Sequence, residues 1–213
     1  MNRYQILIEY VGTNYNGWQI QRKGKTIQGR IQNTISKILK EKINIIGSGR
    51  TDSGVHASEQ SAHFDTSTKI KDSHKFLKSV NHFLSRHGIS ILDLKKRQLT
   101  FHARYSAKAR IYKYIILNRK SGSTLKNKRC WHIIKKLNLA MMKKGAKKLI
   151  GTKDFSTFRS SSCSAKTPVR TIKSIKFLTK KDIIEIEIKA QSFLQNQVRS
   201  MVGCLKYVGE DRW

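Results

Sequence analysis

Proline is nearly absent from this chain of 213 residues, with Pro168 the single instance, so no proline-rich linker marks a cut between domains. Cysteine is scarce too. Cys130, Cys163 and Cys204 are odd in number, far apart and never in a Cys-x-x-Cys pair. Neither a disulfide framework nor a cysteine zinc site is supported, and a reducing, cytoplasmic setting fits best. Acidic residues are few, 13 against 44 Lys plus Arg, which argues against a metal-dependent nuclease and its clustered carboxylate ligands. No run approaches the roughly 18 apolar residues of a membrane span. The amino terminus, Met1 to Tyr10, meets Arg3 before any signal-peptide core develops. The expectation is a soluble protein with no membrane partner.

What is present is positive charge. The formal net charge is +31, a sign and size that point to polyanionic ligands more than to any fold. The charge is spread along the chain and not gathered on one amphipathic helix, so nucleic acid is favoured over a membrane surface. At 38% hydrophobic and 8% aromatic residues, the chain is too rich in Ile, Leu and Phe to be a disordered basic tail. Its length suits one large domain or two small fused lobes.

Residues 3–10 read as a strand, ended by the turn signal Gly12-Thr13-Asn14. Thr26 can cap a helix whose Ile27, Ile31, Ile35, Ile38 and Leu39 share one face. A strand at Ile43 to Gly47 runs into a turn-rich segment, 48–56, before an extended piece around Ala62-His63-Phe64. This is β-α-β-β. The second half repeats the order with a strand at Lys108 to Leu117, a lysine-rich helix at Leu137 to Ile150, and a hairpin of Thr171 to Leu178 with Ile183 to Lys189. The alternation Ile184, Glu185, Ile186, Glu187, Ile188 puts isoleucines on one face and carboxylates on the other. A closing helix carries Leu194, Val198, Met201, Val202 and Leu205 on one stripe, with Arg199 away from its middle.

The Gly49 to His56 segment is where chemistry would sit. Asp52 is flanked by small, turn-forming residues, and Arg50 two positions earlier could hold it ionised. From spacing alone, an ordinary loop in which Asp52 bonds its own backbone is the commoner outcome. His56 and His63 have no third ligand at recognisable spacing, so structural roles are expected and no metal site. In Arg110-Ile111-Tyr112-Lys113-Tyr114 both rings should lie on one side of a strand, either stacking a base or joining the core. Phe158 to Arg170 is a polar basic loop that alone says only phosphate or solvent.

Taken in order, Tyr15-Asn16-Gly17-Trp18-Gln19, Thr26-Ile27-Gln28-Gly29, Gly49 to His56, Phe101-His102-Ala103-Arg104-Tyr105-Ser106-Ala107, Arg110 to Tyr114, and Phe193-Leu194 with Val198-Arg199 and Val202-Gly203 resemble the TruA family of tRNA pseudouridine synthases. The likeness spans essentially the whole chain. It implies a cofactor-free, homodimeric isomerase that turns uridine into pseudouridine in the anticodon stem and loop of tRNA, at nucleotides 38, 39 and 40. It also implies an α+β pseudouridine synthase fold, two related β-α-β-β lobes with antiparallel sheets around a basic cleft, here residues 1–105 and 106–213. By motif position, Asp52 would be the catalytic carboxylate, Tyr112 the ring on the target uracil, and Arg199 the cation paired with the aspartate. Arg50 would help fill the space left by the flipped nucleotide.

The sequence departs from the family pattern at Val11, where an acidic residue is usual, and at Ser85, where a proline is common. The family also continues past a segment like Val208 to Trp213 with a further helix and strand, so the expectation is a C-terminal lobe lacking both. A non-catalytic RNA-binding protein would share the charge and the aromatic placement. Only the set of Asp52, Tyr112 and Arg199 separates that alternative from the enzyme.

Overall fold

The computed structural model describes residues 1–126 and 129–213, and the chain divides into two compact units, Met1–Ala107 and Lys108–Trp213. The first unit opens with β1 (Asn2–Tyr10), followed by α1 (Ile27–Leu39), β2 (Ile45–Gly47), β3 (Ala57–Thr66), α2 (Ser73–Leu84) and β4 (Ile89–Arg97). Its sheet runs β2-β3-β1-β4 with every pair antiparallel. Because strand side chains alternate, Tyr4, Ile6, Ile8 and Tyr10 of β1 all enter the core, where none is more than 3% exposed. Ile27, Ile31 and Ile35 of α1 and Phe76, Val80 and Leu84 of α2 cover that face.

Thr26 caps α1 by accepting the Gly29 N–H at 3.3 Å, and the helix stops at Lys40, whose φ of 51° is left-handed. Asp72 caps α2 through the Lys75 N–H at 2.8 Å. β3 is longer than the piece expected around Ala62 to Phe64, because its first half still pairs with β1 through Ala57, Gln60 and Ser61.

The second unit contains β5 (Arg110–Asn118), β6 (Trp131–Ile133), α3 (Leu139–Lys148), β7 (Gly151–Asp154), β8 (Val169–Lys180), β9 (Ile183–Ala190) and α4 (Gln197–Gly209). Its sheet runs β6-β5-β9-β8-β7. Ile184, Ile186 and Ile188 of β9 are buried, while Glu185 and Glu187 on the opposite face pair with Lys113 at 2.9 and 3.8 Å. The repeat read from segment order is visible in the pairing. β2-β3-β1 in one unit and β8-β9-β5 in the other share a β-α-β-β order, into which the second unit inserts β6 before its helix and β7 after it.

The fold also departs from the expectation of antiparallel sheets, since β6 lies parallel to β5, pairing Ile116 with Trp131 and Asn118 with Ile133. Parallel neighbours need a long connection, which residues 119–130 supply. Asn118 then pins the returning chain by donating to the carbonyls of Ile133 and Lys135. α3 is shorter than the expected Leu137 to Ile150, capped by Asn138 on the Met141 N–H. Leu194 is buried but precedes α4, because Asn196 takes a left-handed φ of 62° that keeps the preceding residues out of the helix. Among the described residues no helix is long and apolar enough to cross a membrane.

His63 on β3 is 1% exposed, its Nδ1 accepts the Ala103 N–H at 3.2 Å, and its ring meets Phe101 edge-on. Burial, aided by the charges of Arg3 and His102, pushes its pKa from 6.5 down to about 4. Between those values the unfolded chain binds a proton that the folded chain does not, so stability should fall as pH is lowered across that window and level off below it. Asp65, held below its ordinary pKa chiefly by its hydrogen bond from Arg3, loses its contribution only at lower pH, as its carboxylate protonates. Denaturant midpoints measured from pH 7 to pH 4 should drop more steeply for the native chain than for His63→Gln. Equal slopes would refute the assignment.

Candidate active site

β2 and β3 are joined by residues 48–56, and this connection carries Asp52 on a backbone held from several sides. Ser48 N–H bonds the Ser61 carbonyl at 2.8 Å, and Gln60 Nε2 donates to the Gly49 carbonyl at 3.1 Å. The segment Gly12–Trp18 crosses the connection closely. Trp18 N–H donates to the Thr51 carbonyl at 3.0 Å, the Tyr10 and Thr51 hydroxyls lie 2.8 Å apart, and both Ser53 Oγ and Gly54 N–H reach the Tyr15 carbonyl. His56 Nδ1 accepts the Gly12 N–H at 3.1 Å, which gives that histidine the structural role expected of it. Trp18 is 2% exposed and lies over Gly47, where a Cβ would come within 2.7 Å of its ring. Gly17 has a φ of +88°, and a Cβ there would stand 2.4 Å from the Thr51 carbonyl oxygen. Both positions require glycine for close approach.

This bracing uses the backbone around Asp52 and leaves its carboxylate out. The Asp52 carbonyl accepts the Val55 N–H at 3.2 Å, but among the described residues none donates to its side chain. The expected bond between Asp52 and its own backbone is therefore not formed. Other acidic residues are either exposed, as Glu9, Glu59 and Asp211 are, or engaged. Glu41 accepts from Thr66 and Ser67, Asp72 caps α2, Asp154 accepts the Ser156 N–H, and Asp93, Asp182 and Glu210 join Asp65, Glu185 and Glu187 in ion pairs. Asp52 alone is half-buried without such a partner among the described residues. Arg50 is exposed on the same connection.

In the second unit, Tyr112 and Tyr114 share one face of β5 and have different surroundings. Tyr114 meets Trp131 at 6.1 Å, and burial raises its pKa against the opposing charge of Arg199. Tyr112, half-buried and opposite Ile188 of β9, meets Phe193 edge-on at 5.0 Å and 85°. Arg199 is exposed in the first turn of α4. The helix has no acidic residue in its first turn and no side-chain cap, and its Gln197 N–H is taken by the Leu194 carbonyl at 3.2 Å, so this end keeps its positive character. Among the described residues no group of His, Cys, Asp and Glu could hold a metal.

The sequence profile of the family described as tRNA pseudouridine synthase matches residues 6–106 and 146–213. The tRNA pseudouridine synthase A of Pelagibacter ubique (strain HTCC1062) is 64% identical over 213 residues, covering 100% of this chain and 87% of that protein. The enzyme of the same name from Thermoanaerobacter sp. (strain X514) is 46% identical over 209 residues, 98% of this chain and 85% of the relative. The chain belongs to the tRNA pseudouridine synthase family. Its activity is accordingly that of an isomerase converting uridine to pseudouridine, and the non-catalytic alternative is not favoured.

For this pseudouridine synthase, the motifs singled out Asp52 and its loop as candidates and did not show the residues that brace the loop, above all Tyr10, Thr51 and Gln60. The density of aromatics and glycines from Tyr10 to Trp18 was the available signal. Gly17→Ala should lower stability by about 1–3 kcal/mol, the usual cost of a strained left-handed residue, and displace Thr51. Pseudouridine formation at saturating RNA should fall at least tenfold while the folded chain still binds RNA. Retained turnover would show that the crossing segment does not position the loop.

Proposed function

We propose that the chain modifies uridines of the anticodon stem and loop of tRNA, nucleotides 38 to 40, with Asp52 as its reactive carboxylate. The observation that carries this reading is the half-buried Asp52 side chain, which no described residue engages, on a braced connection in a chain matched to this family. The reaction breaks the C1′–N1 bond, joins C1′ to C5, and moves one proton from C5 to N1, so atoms and electrons balance within the substrate. It needs an ionised group to attack ribose or ring, a cation to keep that group ionised, and a pocket that retains the detached base. Asp52 supplies the first and Arg199 the second. Tyr112 packs on the uracil, a role supported by a ring that Phe193 contacts edge-on and that stays half-exposed.

Arg50 fills the space vacated by the extruded nucleotide. Swinging a base from its stack costs a few kcal/mol, and contacts from Lys and Arg to the flanking phosphates offset it. Relatives named tRNA pseudouridine synthase support tRNA as the substrate. The same reading makes the enzyme cytoplasmic and homodimeric, and sedimentation of the purified chain tests the dimer.

Asp52→Asn should abolish pseudouridine formation on an unmodified tRNA transcript and leave affinity within a few fold, because shape hardly changes. Turnover in that variant would overturn the assignment. For Arg199→Ala, catalysis at saturation should collapse while the dependence of log affinity on log salt keeps its slope, since a cation serving the carboxylate neutralises no phosphate. A flatter slope with surviving catalysis would make Arg199 a backbone contact.

A further inference from the structure

Tyr105 is 78% exposed. A single exposed aromatic is ordinary, but this one projects from a turn fixed at each backbone position around it. His102 Nδ1 accepts the N–H groups of both Arg104 and Tyr105, at 3.2 and 3.4 Å. The Ser106 N–H returns to the His102 carbonyl at 2.8 Å, and the His102 N–H reaches Ser106 Oγ at 3.1 Å. Between them Ala103 is 2% exposed and donates its N–H to the buried His63, which anchors the turn to β3. Arg3 secures the approach to the turn by donating to the carbonyls of Leu99 and Phe101.

The His102 ring lies 4.3 Å from the Tyr105 ring at 32°, covering one side of it. The high exposure leaves the other side to solvent. The Arg104 guanidinium is 5.9 Å from the ring centre, and Arg97 at the end of β4 lies 5.4 Å from the ring of Phe101, which leads into the same turn. A rigid ring, backed on one face and with the Arg104 guanidinium beside it, meets the requirements of single-stranded nucleic acid recognition, where stacking supplies affinity and positive charge follows the backbone. Its ordering is already complete in the free protein, so little entropy is lost on binding.

We propose that Tyr105 is a stacking platform for an unpaired nucleobase of the RNA substrate, separate from the residues assigned to the reacting uridine. This rests on the reading of tRNA as substrate. The test measures binding of an unmodified tRNA transcript over a salt series, single-turnover pseudouridine formation at saturation, and sedimentation, for the native chain, Tyr105→Ala and Tyr105→Phe. Tyr105→Ala should weaken binding about tenfold to a hundredfold, the effect of losing one stacked base, with salt slope and saturating rate unchanged. Tyr105→Phe should bind as the native chain does. Native affinity in Tyr105→Ala, or equal losses in both variants, would overturn the platform. A changed sedimentation state with unchanged tRNA affinity would overturn it in favour of a protein contact. Pseudouridine formation by the native chain keeps the two readings apart: its absence refutes the function, whereas native affinity of Tyr105→Ala in an active preparation refutes the platform alone.

Discussion

The crossing of Gly12–Trp18 over residues 48–56 is the constraint on which the shape of the connection that carries Asp52 depends. Trp18 and Tyr10 are each 2% exposed, and the contacts they help make are backbone hydrogen bonds, a hydroxyl pair and aromatic packing over Gly47. None of these is an ion pair. A loop held in this way is insensitive to salt, whereas surface ion pairs weaken when counterions or a polyanion compete for them. Bracing by uncharged groups also leaves the Asp52 carboxylate outside the structural bonds. Asp72 and Asp93, by contrast, are committed to a helix cap and to an ion pair with Lys95.

The same economy governs charge. With 13 acidic residues against 44 basic ones, self-repulsion opposes the compact state, and several of the acids join distant parts of the chain. Asp65 binds Arg3 in a bidentate pair across β1 and β3, and Glu41 ties the end of α1 to the end of β3 through Thr66 and Ser67. On the outer face of β9, Glu185 and Glu187 converge on Lys113 of β5. On α3 the exposed residues Lys143, Lys144, Lys147 and Lys148 lie opposite the buried Met142 and Ala146. Uncompensated cations of this kind make the surface a general attractor for phosphate backbone, and sequence-independent attraction cannot choose a uridine. Choice has to come from groups with shape, the rings and the fixed turns.

Those groups were unevenly legible. α1 was readable because five apolar residues keep helical spacing behind a threonine cap, and the β8–β9 hairpin because Ile184 to Ile188 alternate without a break. β4 was not read, for a physical reason. Ile89 and Ile91 are buried and then Leu94, because the register against β1 slips where Leu7 faces Asp93 and Ile8 faces Ile91. The extra residue, Leu92, is left 48% exposed, and a bulge of this kind destroys the alternation that marks a strand. α2 shows only Phe76, Val80 and Leu84 at four-residue spacing, a stripe too narrow to stand out among His and Lys. The parallel strand β6 is three residues long and depends on Asn118, a side-chain bond that no periodicity encodes. At the site, residue types and order pointed to Asp52, but the bracing by Tyr10 and Gln60 is tertiary and invisible to spacing.

α4 departs from the pattern of the other helices in how its first turn is held. Thr26, Asp72 and Asn138 cap α1, α2 and α3 with side-chain oxygens, each such cap contributing about 1 kcal/mol. α4 begins after Asn196 in a left-handed conformation, with no side-chain cap and with Arg199 in the first turn. A cation at the positive end of a helix is unfavourable by roughly 0.3–1 kcal/mol, and the missing cap adds to that. The local structure is nonetheless firmly set. The Leu194 N–H donates to Gln197 Oε1 at 2.8 Å, the Gln197 N–H returns to the Leu194 carbonyl at 3.2 Å, and Gln197 is 1% exposed. The start of α4 is thus set by the buried Gln197 and its two bonds to Leu194, a tertiary anchor in place of the side-chain cap that the other three helices use.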